Sequence, residues 1–304
     1  MVDSLKQWAA VHGDKLQIVP IRRLQDMKIE LEAFREKEEL NGFQKWIIHN
    51  LYRFDLPSAG FPIRSMIIIA IPHPFYARVE FVWQVKNYHC LSLVMSDFDT
   101  TEKYLNDFLG TTNHHLIPAS NLPLKRLAVK SGLAVYGRNN ICYVEGMGSV
   151  FSLAGYYSDV KCDDGDWMEL RQSDRCTHCW ACVNHCPTEA IRKDRFLINN
   201  ERCLSNLNEG PGEFPEWLPK SVHHCLYDCL KCQIICPMNK AYLDNIIGPI
   251  QFSEDETEML LSGGPSDAFP PALKQKSKLL GLDQWLGSIP RNLKVLFELS
   301  DHPL

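Results

Sequence analysis

The pattern of apolar and polar positions predicts a first half that mixes helices and strands. Residues 1–60 are rich in charged positions and predict mostly surface helices. A continuous apolar run with β-branched residues predicts a buried strand over Ser65–Pro72, and residues 79–94 predict further strand. Residues 97–109 predict a helix. This order of elements indicates a mixed α/β domain.

The next stretch predicts one short helix followed by two strands. Ser120 or Asn121 is expected to cap the helix, which should end at Gly132. Residues 135–143 and 149–157 then predict strands that flank a glycine-containing turn.

The last part of the chain predicts a short helical tail. Ser253 and Glu256 have the spacing of a capping box, which predicts a helix over residues 254–262. Further helices are predicted at about 272–286 and 290–299.

Composition limits the class of protein. The 304 residues are 45% hydrophobic and 23% charged, as in ordinary folded proteins, and two domains are the natural expectation at this length. The net charge of −5 is too small to indicate or exclude a nucleic-acid partner. No apolar run approaches membrane-spanning length, and the N-terminus lacks the order of charges of a signal peptide. We therefore expect a cytoplasmic protein without a membrane partner.

The 12 cysteines carry the strongest chemical signal in the chain. Four of them, followed by proline, have the spacing C-x2-C-x2-C-x3-C-P of bacterial ferredoxins, and three recur 50 residues later, again followed by proline. Cys203 can supply the thiolate that the second run lacks. The first run is Cys176, Cys179, Cys182 and Cys186, and the second is Cys229, Cys232 and Cys236.

Eight thiolates suffice for two [4Fe–4S] clusters in a ferredoxin-like module over residues 172–240. In such modules the fourth cysteine of a run binds the other cluster. The first cluster is therefore predicted on Cys176, Cys179, Cys182 and Cys236, and the second on Cys186, Cys203, Cys229 and Cys232. Structural zinc is the alternative, but zinc sites favour two separate C-x2-C pairs.

The remaining cysteines have simpler interpretations. Cys90 and Cys142 lie in apolar strand patterns and are expected to be small core residues. Cys225 is expected to be a free thiol beneath the second cluster, with a role as substitute ligand as the alternative. Cys162 has no assigned role.

Residues 108–144 contain no Asp or Glu. This basic window is either a solvated face or a site for an anionic group, such as a cofactor phosphate or RNA. Neither a dinucleotide-binding fingerprint nor a P-loop is present. The basic side chains in the window are His114, His115, Lys125, Arg126, Lys130 and Arg138.

Several segments occur in a fixed order along the chain. They are Asn87-Tyr88-His89, LAVKSGLAVYGRNN at 127–140, GMGSVFSL at 146–153, the first cysteine run, ERCLSNLNE at 201–209 and CLKCQIICPMNK at 229–240. This ordered set resembles the epoxyqueuosine reductases from about residue 65 to the end of the cysteine runs, and residues 291–299 resemble them more weakly.

This resemblance implies a cobalamin in the upstream domain beside the two clusters, as in that family and the related reductive dehalogenases. The residues that match the family's cofactor-side turns would then contact the cobalamin. They are Tyr136, Gly137, Arg138, Asn139, Gly148 and Ser149.

Departures from the family bear on the chemistry. The family's proton-donating aspartate has no counterpart around Ser120 and Asn121, and a lysine of the family is Arg138 here. A positioned acid is central to deoxygenating an epoxide, which puts that particular reaction in doubt. The candidate proton donors are then Tyr88, His89, Tyr136 or a bound water.

The sequence thus predicts an α/β (α+β) catalytic domain over residues 1–165, a ferredoxin-like double-cluster domain over 166–245 and a helical extension over 246–304. The predicted function is a cobalamin- and iron–sulfur-dependent reductase of unknown substrate. The expected partners are a low-potential donor of the ferredoxin or flavodoxin type and a small molecule or modified nucleoside, with tRNA also possible. The alternative is a non-catalytic electron-transfer protein that serves a corrinoid enzyme.

Overall fold

The computed structural model describes residues 1–36, 40–163, 165 and 167–301. The strands are β1 (Lys15–Pro20), β2 (Ser65–Pro72), β3 (Tyr76–Trp83), β4 (Lys86–Ser92), β5 (Leu116–Pro118), β6 (Val135–Tyr136), β7 (Cys142–Tyr143), β8 (Phe151–Ser158) and β9 (Ile246–Phe252). The helices are α1 (Val2–Val11), α2 (Arg23–Arg35), α3 (Gly42–Trp46), α4 (Phe98–Gly110), α5 (Leu124–Lys130), α6 (Ala181–Asn184), α7 (Leu204–Glu209), α8 (Lys231–Ile234), α9 (Glu254–Ser262), α10 (Pro271–Leu280) and α11 (Ile289–Asp301).

A four-stranded sheet of order β1-β2-β8-β5 forms the centre of the first half, with antiparallel neighbours throughout. Strand β2 is apolar without interruption because both of its faces are covered. Ile67 and Ile69 pack with Leu5 of α1 and Leu105 of α4 on one face. On the other face, helices α2 and α5 cover Ile68 and its neighbours. Alternating side chains of one strand therefore serve two separate cores.

A second sheet of order β4-β3-β9 joins the two ends of the chain. Strands β3 and β4 form a hairpin, and β9 of the tail pairs with β3 in parallel. Phe81 and Phe252 stack at 4.7 Å in a core that helices α9, α10 and α11 complete. The tail is thus packed onto the hairpin, and β9 is an element that the sequence patterns did not predict.

Several predicted elements are confirmed. Strand β2 has the predicted bounds, and Asp97 caps α4 by accepting a hydrogen bond from the backbone N–H of Thr100. Ser253 and Glu256 form the predicted capping box at α9, and helices occur at both later tail positions.

Other predictions were incomplete or wrong. Residues 1–60 are mostly helical, as predicted, but the pattern missed strand β1, whose six residues are too few to stand out among charged positions. Neither Ser120 nor Asn121 caps α5, because Pro123 occupies the N-cap position and no side chain accepts a cap hydrogen bond. The strand predicted over residues 135–143 is reduced to the two short strands β6 and β7, joined by a turn.

The cysteine-rich segment contains little regular structure. Its helices α6, α7 and α8 are short, and its turns include Asp228 and Leu230 with positive φ. The segment runs between the first sheet and β9, so both of its ends are attached to packed cores. None of the helices in the described residues combines the length and apolar character that a membrane crossing needs. The domain boundaries at residues 165 and 245 stay a prediction.

Candidate functional site

The structure gathers the first four predicted ligand thiols in one place. The pKa of Cys182 is raised to about 11, first by burial and then by the neighbouring Cys176, Cys236 and Cys179. The same four cysteines line one small cavity. Cys236 comes from the second run and the other three from the first, which is the crossed arrangement that the repeat predicts.

The other four thiols form a second group. Burial raises the pKa of Cys229 to about 12, with Cys203 and Cys186 among its charged neighbours. Cys232 is buried beside Cys229 and Cys203. The chemistry of each group, four converging thiols, fits a four-iron cluster with one thiolate on each iron. Among the described residues, no three His, Cys, Asp or Glu side chains lie close enough together to hold a single metal ion.

Backbone and side-chain donors surround the sulfur atoms of the second group. The backbone N–H of Ala190 donates to Cys186 Sγ at 3.2 Å. The backbone N–H groups of Asn206 and Ser205 donate to Cys203. Hydrogen bonds of this kind stabilise thiolates and raise the reduction potentials of bound clusters.

Arg138 contacts the loop of the first cysteine run. Its guanidinium donates to the carbonyl oxygens of Cys176 at 2.5 Å and Cys179 at 3.2 Å, and it stacks over the Trp180 ring at 3.9 Å. The charge of Arg138 therefore supports the conformation of the ligand loop. Its predicted contact with a cofactor stays a prediction.

Gly148 and Ser149 join the first half of the chain to the cysteine module. The Ser149 hydroxyl donates to Gln233 Oε1 at 2.8 Å, and its backbone N–H donates to Asn239 Oδ1 at 2.9 Å. A Cβ on Gly148 would lie 2.4 Å from that same Asn239 oxygen. The glycine thus allows the side chain of Asn239 to approach the turn, and the two residues fasten the module at this point.

Beside the second thiol group lies a cavity of about 820 Å³. Its wall comes from four stretches of chain, residues 31–52, 122–140, 170–172 and 196–206. Asn206 of α7 lines the cavity, and its backbone N–H donates to Cys203. Asn206 therefore contacts both the cavity and the second thiol group.

The charge on the cavity wall is of one sign. Lys125, Arg126 and Arg171 line it, and no Asp or Glu does so within the ranges that the structure describes. The Arg126 side chain is only 17% exposed and lies 3.9 Å from Glu30, its nearest carboxylate. Glu30 is held by Lys130 at 2.6 Å, so one carboxylate faces two cations. The Nε atom of Arg126 has no hydrogen-bond partner.

Two tyrosines of the cavity, Tyr136 and Tyr52, lie near the positive charge of Arg126. Burial raises the pKa of Tyr136 strongly and that of Tyr52 to a smaller extent, while the nearby Arg126 opposes both shifts. Both phenols therefore stay protonated. Tyr136 packs edge-to-face on Phe196 at 5.1 Å, a contact between the first sheet region and the cysteine module.

Tyr88 and His89 lie elsewhere. Both belong to β4, where Tyr88 is buried and stacks on Phe297 of the tail at 4.1 Å. His89 points to the opposite, exposed side of the strand, across from Glu80. Neither residue lines the cavity. The structure therefore does not bring these two candidates together with Tyr136.

The basic window does not form one surface. Lys130 is buried in its ion pair with Glu30, and its ammonium also lies 5.3 Å from the Trp167 ring. His115 pairs with Asp159 at 2.9 Å on the far edge of the first sheet. Only Lys125 and Arg126 of the window's four formal cations line the cavity, since Arg138 faces the cysteine loop.

Three of the four cysteines outside the two groups, Cys90, Cys142 and Cys225, are buried. Cys90 and Cys142 are buried, and burial raises the pKa of each to about 12. Cys225 is buried between Cys90 and Cys229, and its Sγ lies 3.5 Å from the Cys229 carbonyl oxygen. Its interpretation as a free thiol stays a prediction.

Sequence patterns missed two residues of the site. Tyr52 reaches the cavity from the chain that follows the π-helix Ile47–Leu51, and nothing in the surrounding pattern marks it. Tyr143 of β7 lines the cavity of the first thiol group. Its position four residues after Asn139, within a segment already singled out, was the available signal.

Comparison with known proteins identifies the cysteine module and the fold. Residues 175–239 match the family model of the 4Fe–4S double cluster binding domain. The chain is 24% identical over 270 residues to the epoxyqueuosine reductase of Francisella cf. novicida, with 78% of this chain and 71% of the relative covered. It is 29% identical over 256 residues to the epoxyqueuosine reductase of Salmonella typhimurium, with 79% of this chain and 65% of the relative covered. It is 27% identical over 159 residues to the epoxyqueuosine reductase of Lactococcus garvieae, with 52% of this chain and 43% of the relative covered.

Solved structures agree. The epoxyqueuosine reductase of Bacillus subtilis superposes with a TM-score of 0.62 at 18% identity, covering 97% of this chain and 80% of that one. An epoxyqueuosine reductase bound to an epoxyqueuosine-modified tRNA stem loop superposes with a TM-score of 0.62 at 20% identity, again covering 97% of this chain and 80% of that one. The protein therefore has the fold of these reductases and contains a double 4Fe–4S domain, which confirms the predicted fold class. The chain spans between 43% and 71% of the three curated relatives.

Proposed function

We propose that the protein is an iron–sulfur oxidoreductase that also uses cobalamin and reduces its substrate in the 820 Å³ cavity. The observation that carries this proposal is the contact between the cavity and the second thiol group through Asn206. A reducible ligand bound there would lie next to an electron source. The similarity to enzymes over most of the chain also favours a reductase over a ferredoxin-type carrier.

The eight cysteines would hold two four-iron clusters in crossed sets. The first set is Cys176, Cys179, Cys182 and Cys236, and the second is Cys186, Cys203, Cys229 and Cys232. The first lies beneath a loop with Thr177, His178 and Trp180 exposed, and the second beneath the cavity wall. Electrons would enter at the exposed loop from a low-potential donor of the ferredoxin or flavodoxin type.

The chemistry of the cavity wall suits a corrin ring. Its apolar wall suits a flat macrocycle, and the side chains of Asn140 and Gln172 can pair with peripheral amides. Tyr136 and Asn140 lie at its border with the turn that carries Gly137, Arg138 and Asn139. When bound, cobalamin would supply a redox-active cobalt that accepts single electrons and reduces carbon–heteroatom bonds.

The residues of this chain would supply charge and protons. Arg126 lacks a full counter-charge, so it attracts an anionic group of the cofactor or substrate. The raised pKa of Tyr136 keeps a proton on its hydroxyl, which can donate to a developing oxyanion. Tyr136 is therefore our candidate for the catalytic donor, and Tyr52 lies close enough to support it.

The substrate class follows from what the cavity wall lacks. A related reductase is known in complex with an epoxyqueuosine-modified tRNA stem loop. No carboxylate lines the cavity in the described residues, so a strong general acid for epoxide opening is absent there. We propose a small molecule or modified nucleoside other than epoxyqueuosine as the substrate.

Cobalamin binding tests the proposal directly. Anaerobically reconstituted protein mixed with cob(II)alamin should shift the corrinoid spectrum and retain the corrinoid through gel filtration. A chain that holds both clusters but produces neither effect would instead be an electron carrier that serves a corrinoid enzyme. The matched control is a variant with a blocked cavity, Asn206→Trp, whose indole would fill space beside the second cluster.

Activity on epoxyqueuosine is a separate test. Epoxyqueuosine-containing tRNA incubated with the reduced protein should show little or no queuosine, measured by mass spectrometry of the digested nucleosides. Turnover comparable with that of an epoxyqueuosine reductase assayed in parallel would overturn the substrate proposal and leave the cofactor proposal standing.

A further inference from the structure

Two polar side chains between the thiol groups have no role in the proposed reaction. Asn139 and Tyr143 belong to the turn and strand that follow Tyr136, and both line the cavity of the first thiol group. The Asn139 amide donates to the Tyr143 hydroxyl at 3.0 Å. Both side chains are buried, so water does not compete for these hydrogen bonds.

Each of the two residues contacts a cysteine of a different group. The Tyr143 hydroxyl donates a hydrogen bond to the Cys236 sulfur, in the first group. The Asn139 amide donates to the carbonyl oxygen of Cys232, in the second group, at 3.5 Å and lies beside the side chain of the same residue. A continuous polar link therefore runs from one predicted cluster to the other.

The backbone is shaped to admit this link. A Cβ on Gly137 would lie 2.4 Å from the Tyr143 ring and 2.6 Å from Asn139 Oδ1. Only a residue without a side chain leaves room for both groups. Gly137 belongs to a segment that resembles the family's cofactor-side turn. The close packing of Asn139 and Tyr143 is a separate, local reason for a glycine at this position.

We propose that Tyr143 and Asn139 are positioning residues that set the reduction potentials of the two clusters. Reduction adds negative charge to a cluster and its thiolates, and a hydrogen bond to a ligand sulfur stabilises that charge. The Tyr143 hydroxyl would raise the potential of the first cluster through Cys236. Asn139 would orient that hydroxyl and act on the second cluster through Cys232.

This inference rests on the proposed two-cluster assignment and requires neither cobalamin nor a substrate. The test is a redox titration of reconstituted protein followed by electron paramagnetic resonance. In Tyr143→Phe, the midpoint potential of the first cluster should fall while that of the second stays unchanged and iron stays at the wild-type content. The signal that persists in Cys203→Ala identifies the first cluster.

Controls separate the proposal from general effects of mutation. Tyr157→Phe removes a buried hydroxyl of β8 whose pKa is shifted by burial alone, and it should move neither potential. Asn139→Ala should lower both potentials, the first by less than Tyr143→Phe does. Unchanged potentials in Tyr143→Phe, or equal shifts of both clusters, would overturn the inference. A wild-type chain without two clusters would instead overturn the proposed function.

Discussion

The cysteine module and the neighbouring cavity differ in how far apart in the sequence their residues lie. Seven of the eight thiols come from two short runs, and the spacing within each run determines which sulfurs can meet. The cavity is assembled from four distant stretches, which meet only because the first sheet and the module pack together. Local spacing can therefore be interpreted from sequence, whereas a wall made by packing requires the structure.

The largest effect should come from the one ligand outside the runs. Cys203→Ala should lower the iron content from about eight to about four per chain, because the second cluster loses a thiolate that no run replaces. Iron and sulfide analysis after anaerobic reconstitution measures this. Cys225→Ala is the control and should keep all of its iron. The opposite result for the two variants would assign the fourth ligand to Cys225.

The next effect tests the ion pair behind the cavity. Lys130→Met removes the 2.6 Å ion pair between the buried Lys130 ammonium and Glu30, whose side chain is 35% exposed and still faces Arg126, so the free energy of unfolding should fall by about 1 kcal/mol. Thermal or denaturant unfolding measures the change. Cob(II)alamin affinity should fall less than in a variant of Arg126 itself, because Lys130 does not line the cavity and acts there only by leaving Glu30 to pair with Arg126. A large loss of affinity with unchanged stability would place Lys130 in the binding site.

Arg126→Gln should show the reverse behaviour. Loss of a charge-assisted hydrogen bond costs about 1.5–3 kcal/mol, which weakens ligand binding by about tenfold or more. Cob(II)alamin titration followed by absorbance measures the affinity. Stability should fall less than in Lys130→Met, because the ion pair that Arg126 makes with Glu30 is the longer one, at 3.9 Å. Unchanged affinity would remove the charge argument for cofactor binding and leave Arg126 to the substrate.

The smallest effect is expected on the exposed side of the hairpin. His89→Ala should leave iron content, cob(II)alamin affinity and melting temperature unchanged, because surface substitutions usually alter stability by less than about 0.5 kcal/mol. Tyr136→Phe is the matched comparison within the cavity and should slow substrate reduction once a substrate is found. If His89→Ala slowed substrate reduction as much as Tyr136→Phe, the hairpin of β3 and β4 would have to be counted as part of the active site.

The sequence predicted well wherever one short segment determines the result. The β2 strand and the capping box at α9 both depend on a pattern within a few residues. It also located Arg126 within an acid-free window, but could not show that Lys130 beside it is neutralised by Glu30. That pairing depends on how α2 packs against α5, which no local pattern reveals.

The candidate proton donors that were taken from the family resemblance lie in two separate places in the fold. Tyr136 lies at the cavity, whereas Tyr88 and His89 form part of a hairpin that the tail covers. Motif matching assumes that the backbone around the motif is the same. Here β9 and α11 hold Asn87-Tyr88-His89 within a sheet, and this contact joins segments at opposite ends of the cysteine module.

The parallel pairing of β3 with β9 also constrains how the protein can be made. During synthesis, the hairpin emerges long before its partner strand, and every cluster cysteine follows before β9 does. Pairings across such a distance form late, because the intervening chain must first be closed into a loop. A nascent or proteolysed chain that ends after the cysteines would expose β3 as an apolar, unpaired edge, which is a template for aggregation. The cluster module therefore cannot be shortened into a soluble minimal ferredoxin by removing the tail alone.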